Sequence, residues 1–170
     1  MEEHIMAKKK HVQKTLVEKI LDKAKIPYQQ IEFATHQAGD VAQLDVDHED
    51  YDEHNIYKTL VLTGNVTGPL VGVVPLDTHL SYKKLAAASG NKKVGMVPLK
   101  DLLHTTGYEH GANTPIGIWE KYQYPIYFDN AAQEQGEIIV SSGKIGRSVQ
   151  VDATAVADLV HGTFTDLEEE

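Results

Sequence analysis

Ile56-Tyr57-Lys58-Thr59-Leu60-Val61-Leu62-Thr63, then Gly64-Asn65-Val66-Thr67-Gly68, then Leu70-Val71-Gly72-Val73-Val74, is the stretch on which the fold turns. Two runs rich in β-branched and apolar residues flank a turn of Gly, Asn and Thr, the pattern of a β-hairpin. The two-residue alternation of a strand puts Ile56, Lys58, Leu60 and Leu62 on one face and Tyr57, Thr59, Val61 and Thr63 on the other. Lys58 therefore falls on the more apolar face. Burying its charge unpaired is costly, so it either stands at the rim of a cavity or meets an anion. The plainer alternative is an edge lysine that deters aggregation or snorkels to solvent.

Outward from the hairpin, the chain alternates short elements. Val12, Leu16, Ile20 and Ala24 recur at a helical period, with Val17 and Leu21 widening the stripe, so residues 9–25 read as a helix stopped by Pro27. Residues 28–33 read as a strand, and 34–55 as a polar segment with at most one short helix. Downstream, Ser81 caps a helix over 82–89 closed by Gly90-Asn91, residues 93–97 form a strand, and Pro98 opens a helix to about Thr105 that Gly107 ends. Residues 108–118 read as a loop. Strands follow at 125–129, 137–141 and 147–151, and Asp152 caps a last helix over 153–160 that Gly162 ends. Short strands interleaved with short helices imply an α/β (α+β) fold: a mixed, partly closed sheet or barrel with helices packed around it.

Neither repeat nor Pro/Gly/Ser-rich linker divides the 170 residues, so the expectation is one domain over 1–170, its core at about 12–164, with an acidic tail at Glu168-Glu169-Glu170. With no cysteine there is no disulfide, thiolate metal site or cysteine nucleophile. No apolar stretch approaches the length of a membrane span, and the N-terminus lacks the apolar core of a secretory signal, which implies a cytoplasmic protein without a membrane partner. The formal charge of −9 argues against a nucleic-acid partner. Its distribution reopens the question, because Lys83-Lys84, Lys92-Lys93, Lys144 and Arg147 allow a local basic face on an acidic protein, or else are plain solvated surface.

The search for chemistry first removes candidates. The acidic run from Asp45 to Glu53 fails the calcium-loop pattern, since its sixth position is Asp50 and its twelfth Ile56. The scattered histidines support no dyad, there is no Gly-x-Ser-x-Gly elbow and no phosphate-binding glycine loop, and no metal or cofactor is implied. What remains is Lys58 and the segment Thr106-Gly107-Tyr108-Glu109-His110-Gly111-Ala112-Asn113-Thr114-Pro115-Ile116-Gly117. Its small residues either let main-chain N–H groups approach a ligand as an oxyanion hole, or simply permit tight turns.

Four segments in order carry a family resemblance: Ile56-Tyr57-Lys58-Thr59-Leu60-Val61, Lys83-Lys84-Leu85-Ala86, Thr106-Gly107-Tyr108 through Pro115-Ile116-Gly117, and Ser142-Gly143-Lys144-Ile145-Gly146. Together they resemble the YbaK/EbsC family of aminoacyl-tRNA deacylases, over about residues 12–164. Ala112, Asn113 and Ile118-Trp119-Glu120 look closer to the EbsC branch. The resemblance implies a pocket for the charged 3′ end of tRNA, best known for removing cysteine from proline tRNA. In it Lys58 would hold the terminal phosphate or ribose, and main-chain donors at Gly111, Ala112 and Asn113 the ester carbonyl. Phe33, Thr59, Gly107, Tyr108, Asn113, Pro115, Gly143 and Ser148 would contact substrate, and Lys83, Lys84, Lys144 and Arg147 the RNA. In relatives the substrate's own thiol attacks the carbonyl, which would explain why no protein nucleophile is visible. Two departures bear on substrate choice: Ala112 replaces a glycine, and Ser148 stands where many relatives carry an aspartate. The resemblance thus implies a trans-acting deacylase with aminoacyl-tRNA, and prolyl-tRNA synthetase, as partners. The alternative is a binding module for charged tRNA or a synthetase that has lost turnover.

Overall fold

A computed structural model describes residues 13–38, 41–45 and 52–170, with side chains given for all of these except 34–45. The first helix among the described residues, α1 (Leu16–Lys23), begins at Leu16 because Thr15 closes a capping box with Glu18, so residues 13–15 are not helical as the apolar period suggests. The expected turns before residue 13 lie outside the described residues. Strand β1 (Tyr28–Glu32) follows, and then β2 (Ala34–Ala38) and β3 (Val41–Asp45) pair antiparallel. Residues 34–38 and 41–45 are therefore paired strands and not the polar irregular segment expected; the polar residues there hid the strand alternation. Most of the acidic run after Asp45 lies outside the described residues.

A 3-10 turn (Glu53–Asn55) leads into the hairpin β4 (Tyr57–Gly64) and β5 (Gly68–Pro75), in register Lys58 to Val74 and Leu62 to Leu70. Next come α2 (Tyr82–Ser89), capped by Ser81 and Gly90, β6 (Val94–Met96) and α3 (Leu99–Thr106). Pro98 is the N-cap of α3 and not part of its first turn, and Gly107, at φ 81°, takes the left-handed C-cap that a Cβ would oppose. The expected loop over 108–118 gives way at Pro115 to α4 (Pro115–Tyr122), whose N-cap is Thr114. Then follow β7 (Ile126–Asp129), α5 (Asn130–Gln135), β8 (Glu137–Ser141), β9 (Arg147–Asp152), α6 (Ala153–Leu159) and β10 (Thr163–Thr165). The sequence reading missed α5 and β10; both are too short to show a period.

The larger sheet runs β10-β7-β5-β4-β6, parallel at β10/β7 and β7/β5 and antiparallel elsewhere, and the second runs β1-β9-β8. The two sheets do not close into a barrel; the isolated bridge Ile56–Ile139 links them. Alternation then sorts the core. Tyr57, Val61, Val71 and Val73 join α1, α4, α6 and the β8/β9 face in one apolar cluster. Leu62, Leu70 and Val74 pack with Leu80, Leu85 and Leu167 in another on the opposite face. Burial on both faces explains why these strands read as near-continuous apolar runs.

Candidate active site

The site begins where β4 loses its neighbour. Strand β6 pairs only with Leu62–Gly64, so among the described residues no strand covers that edge of β4 from Tyr57 to Leu60. Val97 N–H donates to the Val61 carbonyl at 3.1 Å, and alternation points the main chain of Thr59 to the same open edge. A cavity of about 600 Å³ lies there, walled by Lys58 and Thr59 of β4, Leu99 and Leu102 of α3, Gly111 and Asn113 of the glycine segment, and Ser148 of β9.

Lys58 is half-buried, and its Nζ donates to the Thr78 carbonyl at 2.6 Å. Burial pushes its pKa below the ordinary lysine value, an effect partly opposed by the Asp77 carboxylate. Asp77 in turn pairs with His54 Nδ1 at 3.1 Å, and that hydrogen bond raises the histidine. The neighbouring Thr59 hydroxyl is buried with no hydrogen-bond partner among the described residues. A buried polar atom left unpaired in this way is unfavourable unless something outside the chain meets it.

The glycine segment is held by a residue that sequence reasoning passed over. Thr106, fully buried, donates from Oγ1 to Asn113 Oδ1 at 2.7 Å and accepts from Tyr108 N–H at 3.1 Å. Asn113 Nδ2 donates to the Glu109 carbonyl, so the Asn113 side chain is spent on the loop itself. The Ala112 amide is also engaged, donating to the Glu109 carbonyl at 2.9 Å. Among the described residues the Gly111 and Asn113 amides meet no acceptor. Of the three main-chain donors expected from sequence, two are therefore available, and Ala112 lines a different concavity.

That second concavity lies across the same loop, bounded by Gly107, Tyr108, Glu109, Ala112, Gly143 and Lys144. The buried Tyr108 ring carries the Lys121 ammonium 4.3 Å from its centroid, a cation–π contact, and a Cβ at Gly143 would come within 3.1 Å of the ring. Lys121 was not singled out from sequence, because its neighbour Gly107 is fourteen positions away along the chain.

The other expected residues are dispersed. Phe33 is buried with Ile31, Ile56 and Ile139 behind the wall, its amide donating to the Gly146 carbonyl at 2.7 Å. Pro115 is the buried first residue of α4. Lys83 and Lys144 are exposed. Lys84 pairs with Asp166 at 2.8 Å, and Arg147, which also borders the main cavity, donates from Nη2 to both Glu18 carboxylate oxygens at 3.0 and 3.2 Å. Glu18 is completely buried, so the charge of Arg147 is matched inside the fold. His110, left among the scattered histidines by sequence, borders the main cavity. Among the described residues no three His, Asp or Glu side chains gather as metal ligands, and no helix is long and apolar enough to cross a membrane.

The family model described as the aminoacyl-tRNA editing domain matches residues 35–159. EbsC of Enterococcus faecalis, whose name proposes Cys-tRNA(Pro)/Cys-tRNA(Cys) deacylase activity for it, is 43% identical over 95% of this chain and 98% of its own. A solved structure described as a proposed trans-editing enzyme for prolyl tRNA synthetase superposes with TM-score 0.65 at 20% identity, covering 72% of this chain and 75% of its own. Another, of a hypothetical protein, gives 0.74 at 15% identity over 90% and 99%. At such identities the two structures speak for the fold alone.

Proposed function

This chain belongs to the aminoacyl-tRNA editing domain family, and from that premise we propose that it is a trans-acting aminoacyl-tRNA deacylase, acting in the cytoplasm on mischarged tRNA, with Cys-tRNA(Pro) as substrate. The observation that carries the reading is a single cavity that joins the half-buried Lys58 to the unengaged amides of Gly111 and Asn113. Its volume suits an aminoacylated terminal nucleoside. A cation placed for phosphate or ribose oxygen, opposite two N–H groups placed for a carbonyl, is what ester cleavage without a protein nucleophile requires: orientation, and donors where negative charge develops.

With cysteine as the acyl group, the substrate thiol loses its proton and its sulfur attacks the ester carbonyl carbon. The bond from that carbon to the ribose oxygen breaks, the ribose oxygen takes up the proton, and cysteine leaves as a cyclic thioester. For an amino acid without a thiol, water takes the sulfur's place and the free acid leaves. Lys58 holds the leaving ribose in position, and Gly111 and Asn113 stabilise the oxyanion. Prolyl-tRNA synthetase is the partner that would supply the mischarged tRNA.

A second reading, a binding module without turnover, draws on Ser148: no carboxylate lines the main cavity among the described residues, so none is there to hold the substrate's amino group. A deacylation panel separates the two. Purified protein mixed with Cys-tRNA(Pro), Ala-tRNA(Pro) and correctly charged Pro-tRNA(Pro) should strip the first and spare the last. Saturable binding of all three with no hydrolysis would establish the second reading.

A further inference from the structure

The tail beyond residue 159 lies outside the family match, yet it is built into the wall behind Lys58. Leu167 is fully buried beside Leu80 and Leu85. Its amide donates to Asp129 Oδ1 at 2.8 Å, Asp129 being itself buried. From there the tail runs antiparallel to the segment after β5. Ser81 N–H donates to the Leu167 carbonyl at 2.7 Å, Leu80 bridges to Glu168, and Glu169 N–H donates to the His79 carbonyl at 2.9 Å. Lys84 fastens the outer side, donating to the Glu168 carbonyl at 2.7 Å and to Asp166 at 2.8 Å. The segment so clasped is the turn at Asp77–Leu80, whose Thr78 carbonyl receives the Lys58 ammonium at 2.6 Å.

We propose that the C-terminal strap Asp166–Glu170 is a positioning device for Lys58, clamping the Asp77–Leu80 turn so that the Thr78 carbonyl holds the ammonium at the cavity wall. The consequence for catalysis rests on the deacylase reading above; the clamp itself does not. Lys58 has a flexible four-carbon stem, and a carbonyl held from behind fixes where its charge sits.

The test reads Lys58 directly, by the NMR signal of its ε-carbon, assigned through its loss in Lys58→Arg. Glu169→Pro, which deletes the N–H given to His79, should move that signal, and Glu169→Ala, which keeps the N–H, should leave it in place. Deleting Glu168–Glu170, which removes the bridge to Leu80, should move it as Glu169→Pro does. On mischarged tRNA, kcat should fall at least about fivefold in Glu169→Pro and in the deletion, with KM little changed, and stay at the wild-type value in Glu169→Ala. A Lys58 signal identical to wild type in natively folded Glu169→Pro and in the deletion overturns the clamp, even if deacylation is observed. A signal that follows the strap, in a protein that strips no tRNA, supports the clamp and defeats the deacylase reading instead.

Discussion

The Thr59 hydroxyl and the Lys58 ammonium sit one residue apart and make opposite demands on the fold. Lys58 is desolvated but bonded to Thr78, whereas Thr59 Oγ1 is buried and unbonded. If substrate is what satisfies that hydroxyl, Thr59→Val should stabilise the free protein by about 1 kcal/mol in chemical denaturation while raising KM for charged tRNA. A purely structural hydroxyl would give no such trade. Asp77 opposes the depression of the lysine, so Asp77→Asn should drive the Lys58 pKa lower still and bring the alkaline fall of activity to lower pH, as a pH–rate profile would show. Lys58 was legible in the sequence because a period of two is unambiguous once a hairpin is recognised. The available donors were not: whether the Ala112 or the Gly111 amide is engaged depends on a turn closed by the Glu109 carbonyl, and composition does not encode that closure.

Among elements, α4 shows how glycine misleads. Thr114 followed by Pro115 is a helix start that could be read directly, but Gly111 and Gly117 on either side made the stretch look irregular. Gly117 is there for contact. A Cβ would collide with the Tyr108 hydroxyl and lie 2.7 Å from Thr114 Cγ2. Gly117→Ala should therefore cost about 1–3 kcal/mol in thermal or urea unfolding despite alanine's better helix propensity. The contact between α1 and β9 is the reverse case, a charge pair inside the fold. Glu18 caps its own helix at Thr15 and receives Arg147, so Arg147→Ala would strand a buried carboxylate and cost about 3–5 kcal/mol. No local pattern in the sequence reveals that Arg147 has a partner 129 positions away.

Over the whole molecule, a net charge of −9 must still accommodate a polyanion. Lys84 and Arg147 are paired with carboxylates of the chain itself, so on the deacylase reading proposed above Lys144 at the second concavity and Lys121 on the Tyr108 ring are the cations to test for contact with RNA. Replacing either by alanine should lower the slope of log affinity for charged tRNA against log salt by about 0.7, leaving single-turnover chemistry unchanged at saturation. The α/β character and the central hairpin followed from the sequence, since long apolar runs between turn residues admit few arrangements. The order of strands, the open junction between the sheets and the returning strap did not, because they depend on pairings between distant segments. Those pairings are what place Lys58, Gly111 and Asn113 around one space.

The most direct test is single-turnover deacylation of Cys-tRNA(Pro), labelled on the amino acid, by the wild type and by Lys58→Ala with its far-UV spectrum checked. Removal of one transition-state partner predicts a loss of about 10²–10³ in rate with the fold intact. A folded Lys58→Ala protein that releases cysteine at the wild-type rate would contradict the account.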